Sequence, residues 1–288
     1  MPDPSDEAGL PSEAAPPAVV KHTRSLIAAV VSALILLSLI VLFNLLGEGA
    51  FFYLAAGVVL IALFELFDAL TQTGRKPNTI FGLLCGLALM GAAYRERTDL
   101  MLLVLAVTTY GALLLSLRRT RGQRASSDAA WTVLAVLWIT GGGAAAVAIL
   151  PLSTDGSLIL TAAILIVALS DIGAYFTGTT FGKHKLAPTI SPAKSWEGVV
   201  GGGVVTIAGG LLFGAMIYDL KLIEGMTLGM IAGVLAPLGD LVQSLAKRQI
   251  GIKDSGRLLP GHGGLWDRLD SILFSMPVIY LYLKLVVF

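Results

Sequence analysis

SLAKRQIGIKDSGRLLPGHGGLWDRLD, residues 244–270, carries five cations and three carboxylates, with Asp240 adding a fourth carboxylate just before it. Long apolar runs lie on both sides, so this charge sits between two apolar helices, and the His262-Gly263-Gly264 step reads as a tight turn. Charge this dense at a membrane surface points to phosphate and metal chemistry.

Working outward, apolar residues make up 56% of the 288-residue chain and charged residues 14%, with a mean hydropathy of +0.83. Ordinary soluble domains are nearer 45–50% apolar and about 25% charged, so the expected fold class is an all-α integral membrane protein. Runs of about 17–25 apolar residues mark membrane helices. Nine such spans are expected: Ser25 to Leu46, Gly49 to Leu70, Thr79 to Tyr94, Leu100 to Leu117, Ala129 to Leu150, Ser157 to Phe181, Gly198 to Tyr218, Met226 to Ala246 and Ser271 to Val287. An odd number of spans puts the termini on opposite faces. Sixteen Lys and Arg residues then share the face of the N-terminus, and four, Arg95, Arg97, Lys221 and Lys284, lie on the other. Short loops rich in Lys and Arg stay cytoplasmic. The N-terminus and residues 244–270 are therefore expected on the cytoplasmic side of a multi-pass protein, in the inner or plasma membrane of a bacterium, with the C-terminus on the opposite face.

Residues 1–22 are rich in Pro, Ala, Ser and acids and predict a disordered cytoplasmic tail. The apolar run that follows exceeds the 7–15 residues typical of a signal sequence, which favours a retained first helix. Residues 23–150 read as a helical scaffold that would carry dimer contacts. Residues 151–288 read as the catalytic region, with cytoplasmic loops 182–197 and 247–268. Cys85 is the single cysteine, so an intrachain disulfide is excluded. A net charge of +1 argues against a nucleic-acid partner.

Ionisable residues inside spans are costly and usually functional. Asp171 lies ten residues before Phe181, which puts it up to about 15 Å below the end of its helix. Asp171, Tyr175 and Gly178 recur at four and three residues and so share a face. The loop that follows brings Lys183, Lys185, Ser191, Lys194 and Ser195, with Pro188 and Pro192 to stiffen it, and point charges on a constrained loop suit phosphate. A basic loop alone equally serves as a topology signal or an anionic-lipid contact.

Asp240, Ser244 and Lys247 recur at the same helical spacing, a face that can hold a cation beside a phosphate. Asp267 and Asp270 open the last helix, where one acid would serve as an ordinary cap. Magnesium takes one or two carboxylates and leaves the rest of its octahedron to phosphate and water. Asp240 and Asp267 are the first candidate ligands, with Asp171, Asp254 and Asp270 as further ones; Asp254 and Asp270 are equally candidate partners of Lys253 and Arg268. Lys247 and Lys253, with Asp240 and Asp267, are the candidate catalytic set. Ser244, Arg248, His262, Gly263, Gly264 and Arg268 are candidate phosphate contacts. Glycines permit a turn whose backbone N–H groups face an anion, and His262 either donates to a phosphate or braces that turn. A general base is not required of it, because a phosphate monoester has a second pKa of about 6 and is already ionised. Gly141 to Gly143, Gly198, Gly201 to Gly203, Gly209 and Gly210 suit close helix packing better than nucleotide cradling. Glu65 and Asp68, near the cytoplasmic end of the second span, are candidates to support the charged site from behind its ligands, or equally to play no part in it.

Two blocks together resemble the phosphatidate cytidylyltransferases, the CDP-diacylglycerol synthases. The first is Asp171-x-x-Ala-Tyr-x-x-Gly178, Phe181-Gly-Lys-x-Lys-Leu186 and Ser191-Pro-x-Lys-Ser-x-Glu-Gly198, where the family more often has Thr at the position of Ser195. The second is Ser244, Lys247-Arg248, Lys253-Asp254, Pro260-x-His262-Gly-Gly and Asp267-Arg-x-Asp270. The resemblance is close over 171–270 and general before it. It implies transfer of the CMP moiety of CTP to phosphatidate, Mg2+ dependence with a second cation such as K+, and a homodimer reached by lipid from the membrane. A cation-coupled transporter using Asp171 and Asp240, or a nucleotidyl or phosphoryl transferase acting on another lipid phosphate, are the alternatives.

Overall fold

The computed structural model describes residues 35, 38–117, 125–252 and 264–288. Helix α1 covers 38–45, and then come α2 (Glu48–Gln72), α3 (Thr79–Tyr94), α4 (Thr98–Leu117), α5 (Ala125–Ala135) and α6 (Gly141–Val147). A π-helical turn, Val136–Thr140, joins α5 to α6 into one long element. The second half consists of α7 (Gly156–Phe181), strands β1 (Lys185–Ala187) and β2 (Ser191–Ser195), α8 (Trp196–Met216), α9 (Leu222–Ile250) and α10 (Trp266–Tyr282). The fold is mostly helical, as expected, and the antiparallel β1–β2 hairpin is an addition that an all-helical reading does not contain.

Seven helical segments among the described residues are long and apolar enough to cross a membrane. Lipid offers no partner to backbone N–H and C=O groups, so a long apolar run satisfies them internally as helix. Helix α3 has the bounds read from the sequence, but its 16 residues span only about 24 Å at 1.5 Å each, short of a ~30 Å hydrocarbon core. Most of the expected first span, and the tail before it, lies outside the described residues. The described residues thus hold seven helices of spanning length and one shorter apolar helix, against the nine spans expected from the sequence.

The core sits where α2, α3 and the α5–α6 element pack together and meet α10, with Leu63, Leu66, Phe67, Met90, Ile139 and Met276 fully buried. Helix α4 buries only Thr108 and Ala112 and presents leucines outward, the pattern of a lipid-facing helix. In the second half α8 packs between α7 and α9. Close packing of membrane helices relies on small residues, and a Cβ built on Gly210 would collide with the backbone carbonyl of Gly225 on the facing helix. The same holds for Gly142 against the Leu273 carbonyl. These glycines are packing positions. Gly210→Leu is therefore expected to destabilise the fold by about 3 kcal/mol, the upper range for overpacking, read as a lower melting temperature in detergent. A variant that melts with wild type would refute the tight α8–α9 contact.

Two local devices aim the second half. Ser195 caps α8 by accepting from the Gly198 amide at 3.2 Å. Helix α9 stops at Gly251, whose φ of +81° is the left-handed conformation that glycine adopts freely. The α8 cap and the last turns of α9 lie at one face of the bundle, where Ser195 and Lys247 line one cavity.

Candidate active site

The C-terminal ends of α7 and α9 and the starts of α8 and α10 enclose a cavity of about 530 Å³. Helix α7 contributes Asp171, Tyr175 and Thr179, and the hairpin contributes Lys194 and Ser195. Helix α9 contributes Pro237, Asp240 and Lys247, and α10 contributes Asp267, Arg268 and Asp270. Both charged blocks of the sequence thus reach one space.

Two lysines and two aspartates pair across elements. Lys194 Nζ lies 2.5 Å from Asp240 Oδ2 and donates to the Pro237 carbonyl at 3.1 Å. Lys247 Nζ lies 2.8 Å from Asp267 Oδ1. The Lys247 and Asp267 side chains are 13% and 11% exposed, so water screens this pair poorly. Half-buried ion pairs add little net stability, because desolvation offsets attraction. They do hold charges ready for a charged ligand. Asp240 and Lys247 are seven residues apart, about 10.5 Å along α9, and therefore engage partners on different elements. Ser244 faces Asp240, donating from Oγ to Oδ1 at 3.3 Å.

Asp267 is more than a helix-start acid. Its Oδ2 accepts from the Gly264 amide at 3.1 Å, while Oδ1 accepts from Gln243 Nε2 at 3.2 Å as well as pairing with Lys247. The carboxylate thereby ties Gly264 to α9 and α10. Lys247 Nζ also sits 5.9 Å from the centre of the Trp266 ring, within cation–π range.

Other candidates lie off the cavity wall. Lys183 and Lys185 are exposed, because Glu197 at the start of α8 anchors this rim segment by accepting from the Lys183 and His184 amides and contacting His184 Nδ1 at 2.6 Å. Ser191 pairs with Ala187 beside the turn of the hairpin and does not line the cavity. Arg248 is one residue, or about 100° of helix, beyond Lys247 and points to solvent. Ser195 does line the cavity, with its hydroxyl engaged as the α8 cap. Lys253, Asp254, His262 and Gly263 lie outside the described residues.

Carboxylate oxygens from Asp171, Asp240, Asp267 and Asp270 are hard donors around one space, which fits magnesium rather than a thiolate-loving metal. Among the described residues, no three Asp, Glu, His or Cys side chains come close enough to cage an ion by themselves.

Glu65, a candidate supporting group from the sequence, and Gln243, which the motif reading passed over, also shape the site. Gln243, fully buried, directs its amide at the Trp266 carbonyl and at Asp267. Glu65 accepts from the Trp266 amide at 2.8 Å across 201 residues of chain. A carboxylate inside an apolar run was the available signal for Glu65; a neutral Gln gave none.

A family model described as "Cytidylyltransferase family" matches residues 27–286. The chain is 37% identical over 129 residues to "Uncharacterized protein YnbB" of Escherichia coli K12, covering 45% of this chain and 43% of that protein. It is 41% identical over 162 residues to the phosphatidate cytidylyltransferase of Mycobacterium tuberculosis H37Rv, covering 55% of this chain and 48% of that protein. For the phosphatidate cytidylyltransferase of Haemophilus influenzae the figures are 40% over 127 residues, 42% and 44%. The chain spans about half the length of the curated relatives it matches. With nearly its whole length matched by the family model and both charged blocks meeting in one cavity, the chain belongs to the cytidylyltransferase family.

Proposed function

We propose that this protein is a phosphatidate cytidylyltransferase, joining the CMP moiety of CTP to phosphatidate with release of pyrophosphate. The observation that carries the reading is the Lys194–Asp240 and Lys247–Asp267 pairs facing one cavity, two cations and two carboxylates within reach of a polyphosphate. The balance of the step is simple. An ionised phosphatidate oxygen attacks the α-phosphorus of CTP, a new P–O bond forms, and the bond to the β-phosphate oxygen breaks, its electron pair leaving with pyrophosphate. No general base is needed, since the monoester is ionised near neutral pH.

The protein's task is then positioning and charge neutralisation. Lys194 and Lys247 exchange their carboxylate partners for phosphate oxygens when substrate enters, and Arg268 adds a further cation at the cavity wall. Asp240 and Asp267, with Asp171 and Asp270 beside them, would hold Mg2+. When bound, that ion neutralises charge on the phosphates. A second cation such as K+ would use the carboxylates that remain. Lys253, Asp254 and His262 complete the charged loop.

CTP enters from the cytoplasm and phosphatidate from the bilayer, an arrangement that places the N-terminus and loops 182–197 and 247–268 on the cytoplasmic side. Residues 23–150 serve as scaffold and as the surface for a homodimer, and 151–288 as the catalytic region. The topology has a direct check. Cysteines introduced at the exposed positions Ser126 and Phe288 are expected to label from opposite sides of sealed vesicles, with little background from buried Cys85. Labelling of both from one side would refute an odd number of crossings.

The activity itself is tested with purified protein, Mg2+, radiolabelled CTP and a panel of phosphatidate, polyprenyl phosphate and archaeal lipid phosphate. Labelled CDP-diacylglycerol from phosphatidate alone is the expected product. Turnover only with another lipid phosphate would reassign the substrate, and no nucleotide consumption with any of them would refute the reading.

A further inference from the structure

The first turn of α10 carries Asp267, and the backbone of Trp266 in that turn is held at both its N–H and its C=O by residues that do not line the cavity. The Trp266 amide donates to Glu65 Oε2 at 2.8 Å, and the Trp266 carbonyl accepts from Gln243 Nε2 at 3.1 Å. The same Gln243 amide reaches Asp267 Oδ1 at 3.2 Å. Glu65, Gln243 and Trp266 are 4%, 0% and 1% exposed, so these bonds form away from water. Amide groups at a helix start have no partner within the helix, and a carboxylate placed there is favoured by both the hydrogen bond and the helix dipole.

Burying a carboxylate is costly, and Glu65 lies in α2, far in sequence from either charged block. Its Oε1 has no hydrogen-bond partner among the described residues. Maximal stability is therefore a poor account of the residue. Its neighbours Leu63, Leu66 and Phe67 are fully buried, which makes α2 a rigid platform. The Trp266 ring is fixed in turn by Trp138, edge to face at 5.9 Å.

We propose that Glu65, together with Gln243, is a positioning residue for nucleotidyl transfer. Glu65 sets where α10 begins and so the bearing of Asp267 toward Lys247, and Gln243 holds the Asp267 carboxylate itself. The inference rests on the reading of the cavity as the CTP and phosphatidate site.

The test uses the full chain in detergent as wild type, Glu65→Ala and Glu65→Gln. Hydrogen–deuterium exchange over residues 264–270 is read without substrate, and kcat and KM for CTP are read at saturating phosphatidate. Glu65→Ala is expected to speed exchange in that segment and lower kcat by about 10- to 100-fold, the scale for losing a group that orients a metal ligand. Glu65→Gln keeps an acceptor for the Trp266 amide and is expected to stay near wild type in both readouts. A purely structural role would lower the melting temperature while leaving kcat per folded molecule and KM unchanged. That outcome overturns the proposal, as does unchanged exchange in Glu65→Ala or equal damage in Glu65→Gln. Should Glu65→Ala not fold, Gln243→Leu takes its place: faster exchange with a lower kcat supports the proposal, and no change in either overturns it. A folded wild type that consumes no CTP would instead refute the functional reading, and the exchange measurement would still decide the Glu65–Trp266 link.

Discussion

Asp267→Asn is expected to lower CDP-diacylglycerol formation by about 100-fold or more, the scale for removing an electrostatic contact made in the transition state. Asn is nearly isosteric and caps a helix about as well as Asp. Its side-chain oxygen can still accept from the Gly264 amide, as Asp267 does at 3.1 Å. What it loses is the charge that faces Lys247 at 2.8 Å and that magnesium requires. The variant should therefore fold and melt close to wild type while losing turnover. Product formation from radiolabelled CTP across a magnesium series, with a melting curve as control, makes the measurement. A folded Asn variant with near wild-type turnover would remove Asp267 from the metal and leave it a structural tie.

Lys247→Ala is expected to lower kcat/KM by about 10- to 150-fold, the equivalent of one hydrogen bond to a charged group at 1.5–3 kcal/mol. Lys194→Ala should fall in the same range, since each lysine is held by one aspartate in the cavity. Lys247 and Asp267 are in contact, so their effects should not add. The double variant Lys247→Ala, Asp267→Asn is expected to be about as slow as Asp267→Asn alone, because residues that act as a unit fail together. Fully additive losses in steady-state kinetics would mean that the two serve separate steps. Wild-type kinetics for both single lysine variants would reduce the basic loops to topology signals.

The helices were legible for a simple reason. An apolar run such as Thr79–Tyr94 must satisfy its backbone groups internally as helix, so α3 carries the bounds read from the sequence. The hairpin was not legible, because strands of three and five residues around two prolines leave too short a pattern to separate from a loop. Asp171, Lys194, Asp240, Lys247 and Asp267 were recognisable as chemistry from type and spacing, and all line the cavity. Lys183 and Lys185 carried the same signal but stand at the rim, since charge and proximity in sequence do not tell which way a loop residue faces. The glycines could be read as packing positions, though which backbone each meets, Gly225 for Gly210 and Leu273 for Gly142, required the facing helix.

By itself the sequence determined that this chain belongs in a membrane, that its charge gathers in two blocks, and that those blocks hold the residue types of phosphate and metal chemistry. Composition and helical period are local properties, and they survive without knowledge of neighbours. Only the tertiary structure decided that Lys194 meets Asp240, that Lys247 meets Asp267, and that Glu65 holds the Trp266 amide from 201 residues away. Those pairings depend on how four helix ends converge, and convergence is set by glycine-lined helix contacts and a shared core rather than by any stretch of residues read alone.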